Sequence, residues 1–280
     1  MRCEVCPHHC DLLEGAVGRC RARGCRDGRV VPLSYGRLTS IALDPVEKKP
    51  LARWMPGKLV LSVGSYGCNL SCPFCQNHEI AQAGAHDVSW RYVSPEDLVA
   101  LTLEAREQRP RVVGIAHTYN EPLVAWEYVR DTSLLSHEAG LANVLVSNGC
   151  AKPQVIDALA PLLDAANIDL KAFTEEYYRW CGAGTGGFAA VRACIERLAA
   201  EPGCHLEVTC LVVPGHNDSP EQMRALSTWL AGVDPSIVLH VTRFFPRWKM
   251  TGASPTPVSV VYQLADVARE ALPDVVVGNC

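Results

Sequence analysis

The sequence lacks long apolar segments: it contains no run of about 18 uncharged apolar residues, so it does not predict a transmembrane helix. The amino terminus lacks the apolar stretch of a secretory signal peptide, since it is polar and rich in cysteine. With 48% hydrophobic and 20% charged residues, the 280-residue chain is long enough for one large α/β domain and a small appendage. We expect a protein that works in the cytoplasm and has no membrane partner.

Cysteine, in contrast, is abundant, with 14 residues in the chain. In a reducing cytoplasm, thiols serve as metal ligands or nucleophiles more often than they form disulfides. One group lies within the first 25 residues and consists of Cys3, Cys6, Cys10, Cys20 and Cys25. A second, tighter group consists of Cys68, Cys72 and Cys75. The clustering favours metal binding over disulfide bonds.

Charge is distributed unevenly along the chain. Residues 1–57 contain ten Lys or Arg against six Asp or Glu, whereas residues 58–280 contain sixteen against twenty-four. Five arginines surround Cys20 and Cys25, and these are Arg19, Arg21, Arg23, Arg26 and Arg29. The common explanation for such a run is a solvated loop. The alternative is contact with a phosphate-bearing or acidic partner, which leaves nucleic acid open as a partner.

The chain divides into two parts at about residue 57. Residues 1–57 show little periodic apolar pattern, so this part is too small to fold on apolar burial alone and is predicted to be a metal-binding module. Its last part, residues 35–56, contains turn-forming pairs such as Asp44-Pro45 and is predicted to be a linker. Residues 58–280 form the predicted main domain.

In the main domain, short β-branched runs alternate with helical patterns. The predicted strands are Leu59–Val63, Val112–His117, Asn143–Ser147, Ala166–Leu170, Leu206–Val213 and Ile237–Thr242. The predicted helices are Pro95–Gln108, Pro122–Ala139, Pro153–Leu163, Phe188–Ala200, Pro220–Leu230 and Val258–Ala271. Strict alternation predicts an α/β fold with a parallel sheet, and six units favour a partial (βα)6 barrel. Functional side chains of such folds collect at the carboxyl ends of the strands.

The loop after the first predicted strand carries Cys68, Cys72 and Cys75. Three thiolates at these spacings can ligate three irons of a [4Fe–4S] cluster and leave the fourth iron open. A structural zinc site is the alternative, but it would need a fourth ligand, for which His78 is the nearest candidate.

The spacing Cys-x3-Cys-x2-Cys, with Phe74 before the last cysteine, resembles the signature of the radical S-adenosylmethionine (SAM) superfamily. The resemblance implies that the amino and carboxylate groups of SAM chelate the open iron. It also implies that one-electron reduction of SAM releases a 5′-deoxyadenosyl radical, which abstracts a hydrogen atom from a substrate. A reducing partner such as flavodoxin or ferredoxin is then expected.

Polar residues at the ends of the next three strands are predicted to bind SAM, and these are Asn120, Glu121, Ser147, Asn148, Asp169 and Lys171. By resemblance to the superfamily, Asn120 and Glu121 stand where a segment binds the methionine ammonium. Lys171 can pair with the SAM carboxylate, and the short side chains suit ribose hydroxyls. Two alternatives remain: Glu121 as a carboxylate at a helix start, and Asp169 with Lys171 as a structural ion pair.

The last two predicted strands end in further polar loops. Residues 212–218 are predicted to wrap the adenine of SAM through their backbone groups. His240, Arg243 and Phe245 are predicted to lie above the substrate cavity, although His240 is equally well explained as a hydrogen-bonded core histidine.

The amino-terminal cysteines offer a second metal site. Cys3, Cys6, Cys10 and Cys20 are predicted to hold structural Zn²⁺ in a tetrahedral site, and an auxiliary iron–sulfur cluster is the alternative. In either case Cys25, or His8 and His9, could replace one ligand.

Over nearly the whole chain, the segments SVGSYGCNLSCPFCQNHEI, GIAHTYNEP, VSNG, NIDLKAF, LEVTCLVVPGHND and LHVTRFFPRWKM resemble the AmmeMemoRadiSam system radical SAM enzyme. This family lies in the branch that resembles the pyruvate formate-lyase activating enzyme. The resemblance implies an oxidoreductase or transferase with other components of that system as partners. Two other functions stay open: activation of a glycyl-radical enzyme, and a non-catalytic metal-binding scaffold.

Overall fold

The computed structural model describes all residues from 1 to 280. Its twelve strands are β1 (Arg23–Arg26), β2 (Arg29–Pro32), β3 (Arg37–Leu38), β4 (Ser40–Pro45), β5 (Leu59–Gly64), β6 (Arg91–Tyr92), β7 (Val112–His117), β8 (Ala142–Ser147), β9 (Ala165–Asp169), β10 (His205–Val212), β11 (Val238–Arg243) and β12 (Val275–Gly278). Its eight α-helices are α1 (His78–Ala81), α2 (Pro95–Gln108), α3 (Trp126–Glu138), α4 (Pro153–Leu159), α5 (Glu175–Trp180), α6 (Gly187–Ala199), α7 (Pro220–Val233) and α8 (Val258–Arg269).

One eight-stranded sheet organises the molecule, in the order β12-β11-β10-β9-β8-β7-β5-β4. All neighbours from β5 to β12 run parallel, and only β4 is antiparallel to β5. The six predicted strands are all present as β5 and β7 to β11, each followed by a helix, so the predicted α/β fold with a parallel sheet is confirmed. Parallel strands buried by helices on their outer face explain the continuous β-branched runs.

Two strands of the sheet were not predicted. Residues 40–45, within the predicted linker, form β4 on one edge, and Val275–Gly278 forms β12 on the other edge. The predicted helix starts at Ser94 and Ser219 are confirmed, since each hydroxyl accepts a hydrogen bond from a backbone N–H three residues on, at 3.1 and 3.2 Å. No helix has both the length and the apolar character that crossing a membrane requires.

The amino-terminal residues lie around the β1–β2 hairpin, and their buried side chains, among them Cys3, Val5 and Cys25, belong to the main hydrophobic core. The hairpin turns at Asp27 and Gly28, both with positive φ, of 51° and 66°. Arg23 is buried and donates two hydrogen bonds to the Glu127 carboxylate of α3, at 2.7 and 2.8 Å. This bidentate ion pair fixes the hairpin to the main domain.

The opposite, amino end of the sheet is closed by residues 46–54, which we call the plug. Leu51 and Val46 are fully buried there, in a cluster with Val60 and Ala116 of the strands. The plug is fixed by Glu207 of β10, whose carboxylate accepts hydrogen bonds from two backbone N–H groups of the plug, at Ala52 and Arg53. The sheet therefore has one end closed by the chain itself, and its other end is free for a site.

Candidate functional site

A cavity of 220 Å³ opens at the carboxyl ends of β5, β7, β8 and β9. It is lined by all nine residues predicted for the cluster and for SAM: Cys68, Cys72, Cys75, Asn120, Glu121, Ser147, Asn148, Asp169 and Lys171. Leu70, Phe74, Val146 and Leu211 supply apolar wall. The structure therefore gathers the predicted polar strand ends around the three cysteines.

The cysteine loop is held by its own backbone and by its neighbours. It begins at Gly67, whose φ of +88° suits glycine, and a Cβ there would clash with the Cys20 carbonyl oxygen. The Ser71 amide donates to the carbonyl of Cys181 at 2.8 Å, and the Cys75 amide donates to Cys72 at 3.1 Å. These backbone contacts define the shape of the loop.

The three thiols of the loop differ in electrostatic environment. Burial raises the pKa of Cys68 well above its ordinary value, and burial raises that of Cys75 to about 11. The pKa of Cys72 is lowered, first by a hydrogen bond from Cys181 and also by the positive charge of Lys171. Cys181 was not predicted as a neighbour of this loop, because its position at the end of α5 carries no local signal.

These residues fit a [4Fe–4S] cluster in their donor chemistry. Three thiols line one cavity, and the remaining wall carries amide, hydroxyl, carboxylate and ammonium groups suited to a polar co-ligand. No three Cys, His, Asp or Glu side chains anywhere in the chain converge as a single metal ion would require. A [4Fe–4S] cluster does not require this convergence, because each of its three thiolates binds a different iron.

Asn120 shapes the start of the cysteine loop. Its amide nitrogen donates to the carbonyl of Gly67 at 3.0 Å, and its amide oxygen accepts from the Ser65 backbone N–H at 2.9 Å. The preceding residue, Tyr119, takes a left-handed φ of +70° and lies close against Gly64. Asn120 therefore lines the cavity while its side chain is engaged with the loop.

Glu121 is held by three hydrogen-bond donors at the wall of the cavity. Its carboxylate accepts hydrogen bonds from the Ser147 hydroxyl at 2.7 Å and from the backbone N–H groups of Asn148 and Leu123, both at 2.9 Å. Burial raises its pKa, and the hydrogen bond from Ser147 opposes that effect. Glu121 thus joins the ends of β7 and β8 across the cavity and also caps a short 3-10 turn at Pro122–Ala125.

Asn148 connects this carboxylate to the cysteine loop. Its side-chain amide donates to the Cys68 sulfur at 3.6 Å and to the Asn69 side-chain oxygen at 3.0 Å. Asn69 in turn donates to the carbonyl of Cys150 at 2.6 Å. Asn69 was not predicted as a site residue, although an amide between two cysteines of the signature is a visible polar signal.

Lys171 and Asp169 form an ion pair on the cavity wall, with Nζ and Oδ2 separated by 2.9 Å. Burial would lower the pKa of Lys171, but the carboxylate of Asp169 and the thiols of Cys72 and Cys181 outweigh burial and raise it well above its ordinary value. The Lys171 side chain is 14% exposed and that of Asp169 is 38% exposed. The cation is therefore held beside the cysteines and remains accessible from the cavity.

Several residues expected near SAM or substrate lie elsewhere. None of residues 212–218 lines the cavity, and Asn217 instead donates to the carbonyl of Lys171 at 2.7 Å. His240 is buried and contacts the Glu207 carboxylate at 2.5 Å, so it is a hydrogen-bonded core histidine. Arg243 donates to the carbonyl of Thr256 at 2.7 Å, and neither it nor Phe245 lines the cavity.

The amino-terminal cysteines lie beside the cysteine loop. The backbone N–H of Cys3 donates to the carbonyl of Cys10 at 2.9 Å. Burial raises the pKa of Cys6 to about 12, with further increases from Cys20 and Cys3. Cys3, Cys6 and Cys20 are buried, whereas Cys10 is partly exposed.

Comparisons with known proteins agree with this geometry. Residues 62–226 match the sequence model of the family described as the Radical SAM superfamily. The uncharacterized protein MJ0808 of Methanocaldococcus jannaschii is 34% identical over 281 residues, which cover 100% of this chain and 81% of that protein.

Solved structures show the same fold. SuiB of Streptococcus suis, whose crystal structure has SAM bound, matches with a TM-score of 0.60 and 12% identity over 79% of this chain and 52% of SuiB. A radical SAM methyltransferase from Sphaerobacter thermophilus matches with a TM-score of 0.58 and 17% identity over 79% of this chain and 66% of that chain. At these identities the likeness extends to the fold alone.

Proposed function

This chain belongs to the radical SAM superfamily, and we propose that it is an enzyme that cleaves SAM reductively at a [4Fe–4S] cluster held by Cys68, Cys72 and Cys75. The observation that carries the proposal is the single cavity where these three cysteines meet six polar residues from three successive strand ends. When bound, the cluster supplies one electron to SAM, whose sulfur–carbon bond breaks to give a 5′-deoxyadenosyl radical for hydrogen abstraction.

The residues of the cavity have distinct proposed tasks. The ammonium of Lys171 is placed to pair with the SAM carboxylate, because it is held beside the cysteines and remains accessible. Asp169 and Ser147 are suited to ribose hydroxyls. Glu121 and Asn120 act on SAM by holding the loops, since their side chains are already engaged with the backbone and with Ser147.

A direct experiment tests this proposal. Anaerobically reconstituted protein, given dithionite and SAM, is expected to form 5′-deoxyadenosine, detected by liquid chromatography and mass spectrometry. Cys72→Ala should lose cluster iron and this product, whereas the matched control Cys280→Ala, at an exposed cysteine, should retain both. Absence of the product from iron-loaded wild-type protein would contradict the proposal and favour a non-catalytic scaffold.

The substrate is best sought without assuming its class. SAM deuterated at the 5′ position gives a deuterated deoxyadenosyl radical. The substrate transfers a hydrogen atom to this radical, and it gains deuterium if the transfer is reversible. An untargeted search of a cell extract by mass spectrometry is expected to reveal that molecule. No labelled species, together with steady formation of 5′-deoxyadenosine, would argue against a small diffusible substrate and favour a protein substrate.

We propose a second metal site at Cys3, Cys6, Cys10 and Cys20, with Zn²⁺ as the first choice and an auxiliary iron–sulfur cluster as the alternative. Support comes from the shared burial of three of these thiols and from their spacing in the sequence. Their side chains do not converge as a single ion would require, so binding of zinc would have to draw the four thiols together. Zinc predicts about one zinc and about four irons per chain, and a second cluster predicts about eight irons. About four irons without zinc would reject both.

The physiological setting is proposed from the sequence resemblance. We propose a cytoplasmic enzyme of the AmmeMemoRadiSam system, reduced by flavodoxin or ferredoxin and acting with other components of that system. Support comes from the matching segments at five strand ends and from the richness in cysteine. We expect those components to copurify with the tagged chain, and we expect substitutions in the cavity to leave the copurification unchanged. Their consistent absence would contradict the assignment.

A further inference from the structure

A second groove lies on the other side of the cysteine loop from the SAM cavity. Its volume is 510 Å³, and residues 68–71 form one wall. Cys68 and Leu70 line both this groove and the cavity. A single loop therefore separates the proposed cluster site from a groove that opens on the protein surface.

The groove is positively charged. Arg19, Arg21 and Lys249 line it, no Asp or Glu does, and none of these three cations forms an ion pair. Arg21 only donates to the Gln82 side chain at 3.2 Å, and the Lys249 ammonium lies 4.4 Å from the Trp248 ring centre. Unpaired cations on a chain of net charge −4 make this a local site for an anionic surface.

The charged surface extends beyond the groove. Arg21 also lines a neighbouring cavity of 570 Å³, to which Arg26 and Arg37 contribute and where Asp87 is the one acidic residue. The amino-terminal residues therefore present a row of cations that ends at the cysteine loop. Of the five arginines around Cys20 and Cys25, only Arg23 is buried in an ion pair, so the other four remain available.

We propose that this groove is the docking surface for an acidic protein that donates one electron. The proposal rests on the proposed function, because a protein without a cluster would need no donor there. The donor loses one electron, which passes through the wall at Cys68 to the cluster, and no bond to the donor forms or breaks. SAM and donor then approach from opposite sides of one loop. Redox partners form weak, transient complexes, in which charge complementarity speeds the encounter.

The experiment uses reconstituted protein and an acidic flavodoxin as the probe. Arg19→Glu combined with Lys249→Glu reverses two charges in the groove, and Lys58→Glu combined with Arg109→Glu makes the same change at exposed positions at the amino end of the sheet. Binding of oxidised flavodoxin is measured by calorimetry at 50 and 300 mM NaCl. Cluster reduction by flavodoxin hydroquinone and 5′-deoxyadenosine formation with dithionite are measured on the same samples.

The groove variant should bind flavodoxin about tenfold more weakly at low salt and show a smaller salt dependence. Its cluster should be reduced correspondingly slowly by flavodoxin, while dithionite still supports product formation at the wild-type rate. Equal binding by the groove variant and the amino-end variant would overturn the docking proposal. Displacement of flavodoxin by a 20-nucleotide poly-uridine that binds more tightly would also overturn it, in favour of RNA. Failure of wild-type protein with dithionite would instead refute the proposed function and leave the binding result intact.

Discussion

Two buried glutamates at opposite ends of one sheet behave in opposite ways. Glu121, at the carboxyl end, is 2% exposed, and burial raises its pKa. Glu207, at the amino end, is fully buried; burial raises its pKa too, but hydrogen bonds from His205 and His240 and from two backbone N–H groups outweigh it and lower the pKa to about 2.

The contrast follows from what each end of the sheet does. Around Glu207 the chain supplies histidines and the plug, so the carboxylate is fully compensated and closes the fold. Around Glu121 the partners are a hydroxyl and two backbone amides, and no cation from the chain compensates the charge. The amino end is built for stability, and the carboxyl end retains an electrostatic deficit that a cationic ligand such as SAM can reduce.

The largest effect is expected from Glu207→Gln. A glutamine amide would face N–H donors of the plug, and we expect the free energy of unfolding to fall by about 4 kcal/mol. The measurement is chemical denaturation, with Glu138→Gln at an exposed site as the control. Formation of 5′-deoxyadenosine per folded molecule should stay within about twofold of the wild type. A variant that is as stable as the wild type but inactive would contradict the proposal that the amino end of the sheet serves stability and the carboxyl end serves function.

The second effect concerns acid stability. Because the pKa of Glu207 is lower in the fold than its ordinary 4.5, its charge stabilises the fold above that value. Protonation removes this stability as the pH falls from about 4.5 to about 2, and the loss is about 3 kcal/mol. Glu121 has the opposite sign, since the contribution of a raised pKa is lost as the pH rises through it. Parallel stability curves for wild type and Glu207→Gln below pH 4.5 would refute this assignment.

The third prediction returns to the carboxyl end. In Glu121→Gln the new amide nitrogen would face the Asn148 backbone N–H, so the loop between β8 and α4 should shift. We expect SAM to bind about tenfold more weakly, which corresponds to about 1.4 kcal/mol, as measured by anaerobic calorimetry. Unchanged SAM affinity would instead support the reading of Glu121 as a carboxylate that only caps the following turn.

The smallest effects are expected from a matched pair of hydroxyl deletions. Ser147→Ala removes one donor to Glu121, and Thr209→Val removes the hydroxyl that donates to Asn167 at 2.9 Å on the plug side. Each should reduce the free energy of unfolding by about 1 kcal/mol. Only Ser147→Ala should also weaken SAM binding. An equal loss of SAM affinity in both variants would contradict the proposal that only the carboxyl end of the sheet affects SAM binding.

The central sheet was predictable from sequence because its inner strands are continuous β-branched runs that end in turn residues. The edge strands were not. β4 ends in Asp44-Pro45, a pair that is typical of a turn. These residues form a strand only because β4 pairs with β5. β12 has the β-branched run Val275–Val277 but lies beyond the last predicted helix, and its strand status depends on pairing with β11. The Asp27-Gly28 pair is a sequence typical of a β-hairpin turn. It was not used for prediction because the flanking residues lack apolar periodicity.

The grouping of the candidate residues around one cavity was predictable from the sequence, and their individual contacts were not. Parallel strands bring their carboxyl ends to one edge, which sufficed to place all nine residues around one cavity. Which group each side chain contacts depends on the distances between loops, and sequence carries no such distances. That is why the engagement of Asn120 with the cysteine loop, the proximity of Cys181 and the binding of His240 to Glu207 came only from the structure.

The hydrogen bond between Ala52 and Glu207 joins residues 155 positions apart in the chain. During synthesis, the plug therefore leaves the ribosome long before the residue that fixes it. The apolar side chains of the plug contact β5, β7, β8 and β9, which are made earlier, whereas the backbone amides of Ala52 and Arg53 gain their acceptor only when β10 is made. Contacts of such sequence separation form late, because the intervening chain must first be ordered. The closure of the amino end is accordingly a late step in the ordering of the sheet, although most of the apolar contacts of the plug are available earlier.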